Sequence, residues 1–218
     1  MNGRSQSERP AVPSLRERFR ETTVQAILAA AEEVFADAGL HAAHMGDIAA
    51  RAGVSVGTLY NHFADREALL GGLADARFTE LLTHLDTTLE QSAGRAFGER
   101  LEALVVALLS HWERHRKFMQ IVMQGESGKY DKTYPTAYGT MRDKMRELYS
   151  RIEQVTSQGL HEQAIRAELA DLAPFFLMAM VRSLLIRNLV VENADQGLSA
   201  EGPRLLHAFL HGVGAANP

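Results

Sequence analysis

Apolar residues recur at three- and four-residue steps through most of the chain, a spacing that predicts helices and almost no strands. Over 14–38, Val24, Ile27, Leu28, Ala31, Val34, Phe35 and Ala38 form one stripe. Ser14 stands where it can cap this helix, and Gly39 where it can end it. Glu32, Glu33 and Asp37 are expected to face away from the stripe. Over 44–63 the pattern tightens into two short helices around a turn. Ile48, Ala49 and Ala52 make a small apolar face, Gly53 stops it, and Val54 is a candidate buried hinge. Ser55 is placed to cap a second helix whose inward residues are Leu59 and Phe63.

Asp65 is a candidate N-cap for a long fourth helix running to about residue 90, with Leu70, Ala74, Phe78, Leu81, Leu85 and Leu89 on one face. Gly71 and Gly72 are weak helix formers and mark a candidate flexible point within it. After a break at 94–98, Phe97, Leu101, Leu104, Val105, Leu108 and Trp112 define a fifth helix. A short apolar segment follows at 117–124, then a polar stretch at 125–134 that reads as a loop or lid. Pro135 opens another helix, with Tyr138, Met141, Met145, Leu148, Ile152 and Val155 in a heptad-like seam. The segment 172–191 is apolar nearly all round, so it is expected to be buried on more than one side, partly by a second subunit. A last stripe, Leu206, Phe209, Leu210 and Val213, lies in 199–213.

Outward from the short helix after Ser55 stand Val56, Gly57, Thr58, Tyr60, Asn61 and His62. An ordinary solvated helix would carry charge on such a face, and this one has none. It suits close approach to a duplex: Gly57 adds no bulk, while Thr58, Tyr60 and His62 offer hydrogen bonds to phosphate oxygens. Thr58 and Asn61 could also reach base edges, and Val56 a thymine methyl. The overall charge of −4 argues against a broad basic field, although residues 1–20 carry five arginines against two glutamates.

The stretches AAEEVFADAGL, GDIAARAGVSVGTLYNHF and DREALL, within 16–73, resemble the DNA-binding domain of the TetR family of bacterial repressors. The resemblance implies an all-α chain of about nine helices. A tail at 1–13, expected to be disordered, would precede a three-helix DNA-binding domain at 14–64 with its helix-turn-helix. A helical bundle domain at 65–218 would bind ligand and dimerise. DNA contacts would come from His44, Met45, Gly46, Ser55, Val56, Gly57, Thr58, Tyr60, Asn61, His62 and Arg66. Relatives usually have threonine at the opening of the second helix, where this chain has His44 and Met45. They often have a long polar side chain at Gly46, and frequently lysine at Val56. These departures reduce the polar base readers and leave more of the specificity to DNA shape. Arg66, in a first helical turn where a cation is disfavoured, would meet a phosphate.

The implied partners are double-stranded operator DNA, a small-molecule effector, and a second copy of the chain, paired through helices near 172–191 and 199–213. Six of the eight methionines fall between Met119 and Met180, amid aromatics, as in an adaptable apolar pocket. Phe78, Trp112, Met119, Met123, Tyr138, Met141, Met145, Phe175, Met178 and Arg182 are the candidate lining, for an effector that is mostly apolar or aromatic.

The remaining composition mainly excludes. There are no cysteines, hence no disulfide or thiolate chemistry. The first residues lack the apolar core of a secretory signal, and no long uncharged apolar run suggests a membrane span, so a cytoplasmic location without membrane partners is expected. No nucleophile elbow, Walker loop, dinucleotide fingerprint or HExxH is present, so neither an enzyme nor a cofactor is expected. The i, i+4 pairs His111/His115 and His207/His211 lack a marked third ligand and are not assigned to metal. The rival reading is a helical small-molecule-binding protein or enzyme whose helix-turn-helix no longer binds DNA.

Overall fold

A computed structural model describes residues 14–125, 133–191 and 197–213. The expected tail at 1–13 and most of the expected loop at 125–134 lie outside them. Nine α-helices and no strand occur among the described residues: α1 Leu15–Ala38, α2 Met45–Ala52, α3 Val56–His62, α4 Arg66–Gln91, α5 Phe97–Arg114, α6 Arg116–Gly125, α7 Pro135–His161, α8 Ala173–Ile186 and α9 Gly202–Val213.

The helix ends have local causes. At α1, the Ser14 hydroxyl accepts from the Glu17 amide at 3.2 Å while the Glu17 carboxylate accepts from the Ser14 amide at 2.6 Å, a reciprocal capping box. At α4, Asp65 Oδ1 accepts from the Ala68 amide at 2.8 Å. At α7, Pro135 supplies the first turn and Glu67 of α4 accepts from the Thr136 amide at 2.7 Å, so one helix caps another.

One hydrophobic core runs from Ile27 to Phe209. Ile27, Ala31 and Phe35 of α1 close on Ile48 and Ala49 of α2 and Leu59 of α3. The long α4 makes its most extensive contact with α7 and also packs against α5 and α1. The predicted α4 stripe is buried throughout, as is that of α5. Gly71 and Gly72 do not interrupt α4. They are notches: a Cβ on Gly71 would lie 3.7 Å from the Ala137 backbone of α7, and one on Gly72 only 2.6 Å from the Phe63 ring.

Two expectations need correction. Glu32 does not face outward. It is 8% exposed and ion-paired to Arg77 of α4. The 172–191 segment is not one regular helix, because α8 ends at Ile186 and a wider π-type turn spans Arg187–Val191. Within α8, Leu177, Met178, Val181 and Leu185 point inward, while Phe175, Phe176 and Ile186 are exposed, with Leu172 just before them.

Candidate nucleic-acid interface

The α2–α3 turn is built from backbone chemistry. Gly53 is left-handed (φ 70°, ψ 26°) and its amide donates to Ala49 and Ala50, ending α2. Val54, half-buried against the core, donates to Ala49 at 3.0 Å. Ser55 then caps α3, its hydroxyl accepting from the Thr58 amide at 3.0 Å. The same oxygen lies 2.8 Å from the Thr58 hydroxyl. Whichever hydroxyl donates to the other, one hydrogen of the pair stays available to an incoming phosphate oxygen.

Around this turn His44, Gly46, Ser55, Val56, Gly57, Tyr60 and Asn61 are exposed, and Thr58 and His62 are half-buried. Val56 and Tyr60 keep 46% and 49% of their surface. Gly46 and Gly57 are open, with no atom closer than 3.8 Å to a Cβ placed on either. His44 occupies the N-cap of α2 in extended backbone, but its side chain makes no capping bond.

Two of the expected contact residues are engaged within the chain. Met45 is buried in the core, because the first residue of α2 turns toward the helix bundle. Arg66 meets carbonyls: its Nη1 donates to the oxygens of Leu40, His41 and Ala43 at 3.1, 2.6 and 3.1 Å. It therefore clasps the loop between α1 and α2. The last charged side chain of the unit, Arg51, lies 2.6 Å from Glu33 and 3.6 Å from Asp37 of α1. It is the single lysine or arginine in 44–63.

In the second half, Phe78, Trp112, Met119, Met123, Met145, Met178 and Arg182 do surround a common cavity, together with Val122 and Leu185. Tyr138, Met141 and Phe175 do not line it. Met141 is buried elsewhere on α7, and Phe175 is 56% exposed with its ring 5.1 Å from that of Tyr149. The cavity measures about 50 Å³. That holds a water or two, against roughly 300–1,000 Å³ for a typical small-molecule pocket. A second, open groove of about 610 Å³ runs between α8 and α9, lined by Phe176, Ala179, Met180, Leu184, Leu205 and Ala208 among others.

Residues 27–73 match the family model described as bacterial regulatory proteins, tetR family. The chain resembles that family over this segment. Among curated proteins it is 35% identical over 104 residues to the HTH-type transcriptional regulator YvdT of Bacillus subtilis, covering 45% of this chain and 50% of that one. It is 29% identical over 147 residues to the HTH-type transcriptional repressor KstR2 of Mycobacterium tuberculosis, covering 66% and 69%. The chain thus spans half the length of the first of these relatives. Among solved structures, the transcriptional regulator FadR of Bacillus subtilis, in complex with stearoyl-CoA, superposes with a TM-score of 0.74 over 87% of this chain and 98% of that one. At 19% identity that likeness concerns the fold.

Family motifs carry no signal for the contacts that join the reading unit to the rest of this chain. Glu32 is the centre. Arg77 Nε and Nη2 each reach its Oε2 at 2.7 Å, and its Oε1 accepts from the Phe118 amide of α6 at 3.2 Å. One carboxylate thereby ties α1 to α4 and α6. His41, in the loop that Arg66 clasps, lies 5.8 Å ring to ring from Tyr134 at the start of α7. The histidine pairs also differ. His207 and His211 stack at 3.8 Å and gather no third ligand among the described residues, whereas His111 and His115 are joined by Glu80 of α4.

Proposed function

We propose that the protein is a homodimeric, ligand-responsive transcriptional repressor, with residues 14–64 reading DNA and 65–218 binding effector and partner. The observation that carries this is the Ser55-capped α3, with its exposed, uncharged Val56, Gly57, Tyr60 and Asn61. Such a surface fits a major groove. Phosphate contacts would come from Thr58, Tyr60 and His62, with His44 and Gly46 at the mouth of α2. The exposed Leu172, Phe175, Phe176 and Ile186, with the groove between α8 and α9, support burial against a second copy. Two α3 helices would then lie about one turn of DNA apart, on a near-palindromic operator.

The effector is proposed to be mostly apolar, in keeping with the methionine-rich lining and with the stearoyl-CoA held by FadR. The resting cavity cannot admit such a molecule without opening. Its walls come from α4, α5, α6, α7 and α8, so opening displaces α4, the helix that continues from the reading unit. Effector and operator would thus prefer different arrangements of one helix. A cytoplasmic location is proposed with that role; no described helix is long and apolar enough to cross a membrane.

Selection of bound duplexes from a random pool, at stated salt, tests the reading. Enrichment of inverted repeats with half-sites about 10 base pairs apart, or slightly more, is expected. Recovery of unenriched DNA would sink it.

A further inference from the structure

We propose that Glu80, His111 and His115 form a binding site for a borderline divalent transition ion such as Zn(II), clamping α4 to the end of α5. A carboxylate oxygen and one ring nitrogen from each histidine all lie within 4.8 Å of one another. His115 Nε2 and Glu80 Oε1 are 3.0 Å apart, and the two imidazole rings are 4.5 Å apart. Tetrahedral ligands at about 2.0–2.1 Å from zinc stand about 3.3 Å from each other, so one edge already has the spacing and the others need a small rotamer adjustment.

Burial makes the cluster more than a surface coincidence. His111 is 2% exposed, and its Nδ1 is buried with no hydrogen-bond partner among the described residues. An orphaned imidazole nitrogen inside a protein costs free energy unless something binds it. His115 is the single residue between α5 and α6, its amide donating to His111 and its carbonyl accepting from Met119.

The surroundings suit a transition ion better than a hard cation. Two nitrogens and one oxygen match the preferences of Zn(II), Co(II) and Ni(II), not those of Ca(II) or Mg(II). Glu80 is oriented by Arg77 at 3.7 Å and Arg114 at 3.5 Å. Arg77 is already committed to Glu32, and Arg114 is 63% exposed and free to swing toward solvent. His84, one turn further along α4, is exposed. The fourth position is left to water or an exogenous ligand. Glu80 lies three residues from Arg77, so coordination would fix α4 beside its ion pair with α1.

The full chain, stripped with chelator, is titrated with Co(II) and followed by its visible d–d absorption, with Zn(II) as competitor. One tetrahedral Co(II) per chain, displaced by Zn(II), is expected. Glu80→Gln and His115→Ala should each weaken binding at least about tenfold, with helical circular dichroism unchanged. His207→Ala, at the other pair, should bind as wild type does. If His115→Ala unfolds, Glu80→Gln alone decides. Absence of binding up to 100-fold excess Co(II), or equal binding by Glu80→Gln, overturns the assignment. The experiment uses no DNA, so its outcome is independent of the operator reading.

Discussion

Glu32 and Arg77 allow the link between the reading unit and the bundle to be measured. Their side chains are 10% and 14% exposed, joined by two contacts of 2.7 Å, with the Phe118 amide on the other carboxylate oxygen. Breaking a buried pair from one side leaves a charge uncompensated, at a cost of about 3–5 kcal/mol. The residual exposure of both groups puts the expectation at the lower end, about 3 kcal/mol for Arg77→Met. Glu32→Gln should cost somewhat less, because an amide oxygen still accepts from Phe118. The double variant buries no lone charge. It should therefore be more stable than the sum of the singles implies, with a coupling of about 1.5–3 kcal/mol. Urea unfolding at one fixed protein concentration reads all four corners of the cycle. Additivity to within about 0.5 kcal/mol would show that the pair is a surface contact in effect, and the account of α1 held by α4 would fail.

Other outcomes follow from single sites. Arg66→Ala should lower operator affinity and stability, since the loop before α2 loses its three carbonyl bonds, yet leave the salt slope unchanged. A slope reduced by about one unit would instead return Arg66 to a phosphate. Gly159→Ala should destabilise by about 1–3 kcal/mol despite alanine's better helix propensity, because its Cβ would meet the Phe97 ring at 2.7 Å and Ile165 at 2.9 Å. Chemical denaturation checks this, and a stabilised variant would refute it. Glu113 is held below the usual carboxylate range by the Ser199 hydroxyl and by the amides of Gly197, Leu198 and Ser199. Its contribution is complete above the ordinary value of 4.5 and lost as pH falls through the lowered folded value, since the unfolded chain takes up the proton first. Glu113→Gln should therefore flatten the acid limb of the stability curve, and parallel curves would exclude the effect.

The parts of the fold legible in the sequence were those governed by neighbours in the chain. A helix with one apolar stripe, such as α4 or α5, states which face it buries. Caps are also local: Ser14 with Glu17, Ser55 with Thr58, Asp65 with Ala68. Contacts between distant residues left no periodic trace. Arg66 meets carbonyls 23 to 26 residues earlier, Glu32 meets Arg77 45 residues later, and Glu80 meets His115 across 35. An all-round apolar helix such as α8 carries no phase, so nothing in its sequence put Met178 inside and Phe175 outside. Met45 misled for a related reason: its place in the motif suggested DNA, while its apolar side chain followed the core.

If the small resting cavity lined by Trp112 and Met178 takes the proposed effector, it ties the sensitivity of the regulator to its leakiness. If only the opened form accepts effector, apparent affinity scales with the fraction already open. A substitution that eases opening by about 1.4 kcal/mol sharpens the response tenfold and raises the unprompted open population by the same factor. Methionines at positions 119, 123, 145 and 178 would then set that balance, filling space with side chains that repack at little cost. Variants selected for response to scarcer effector should then be found among these positions, each with a proportionate loss of silence in its absence.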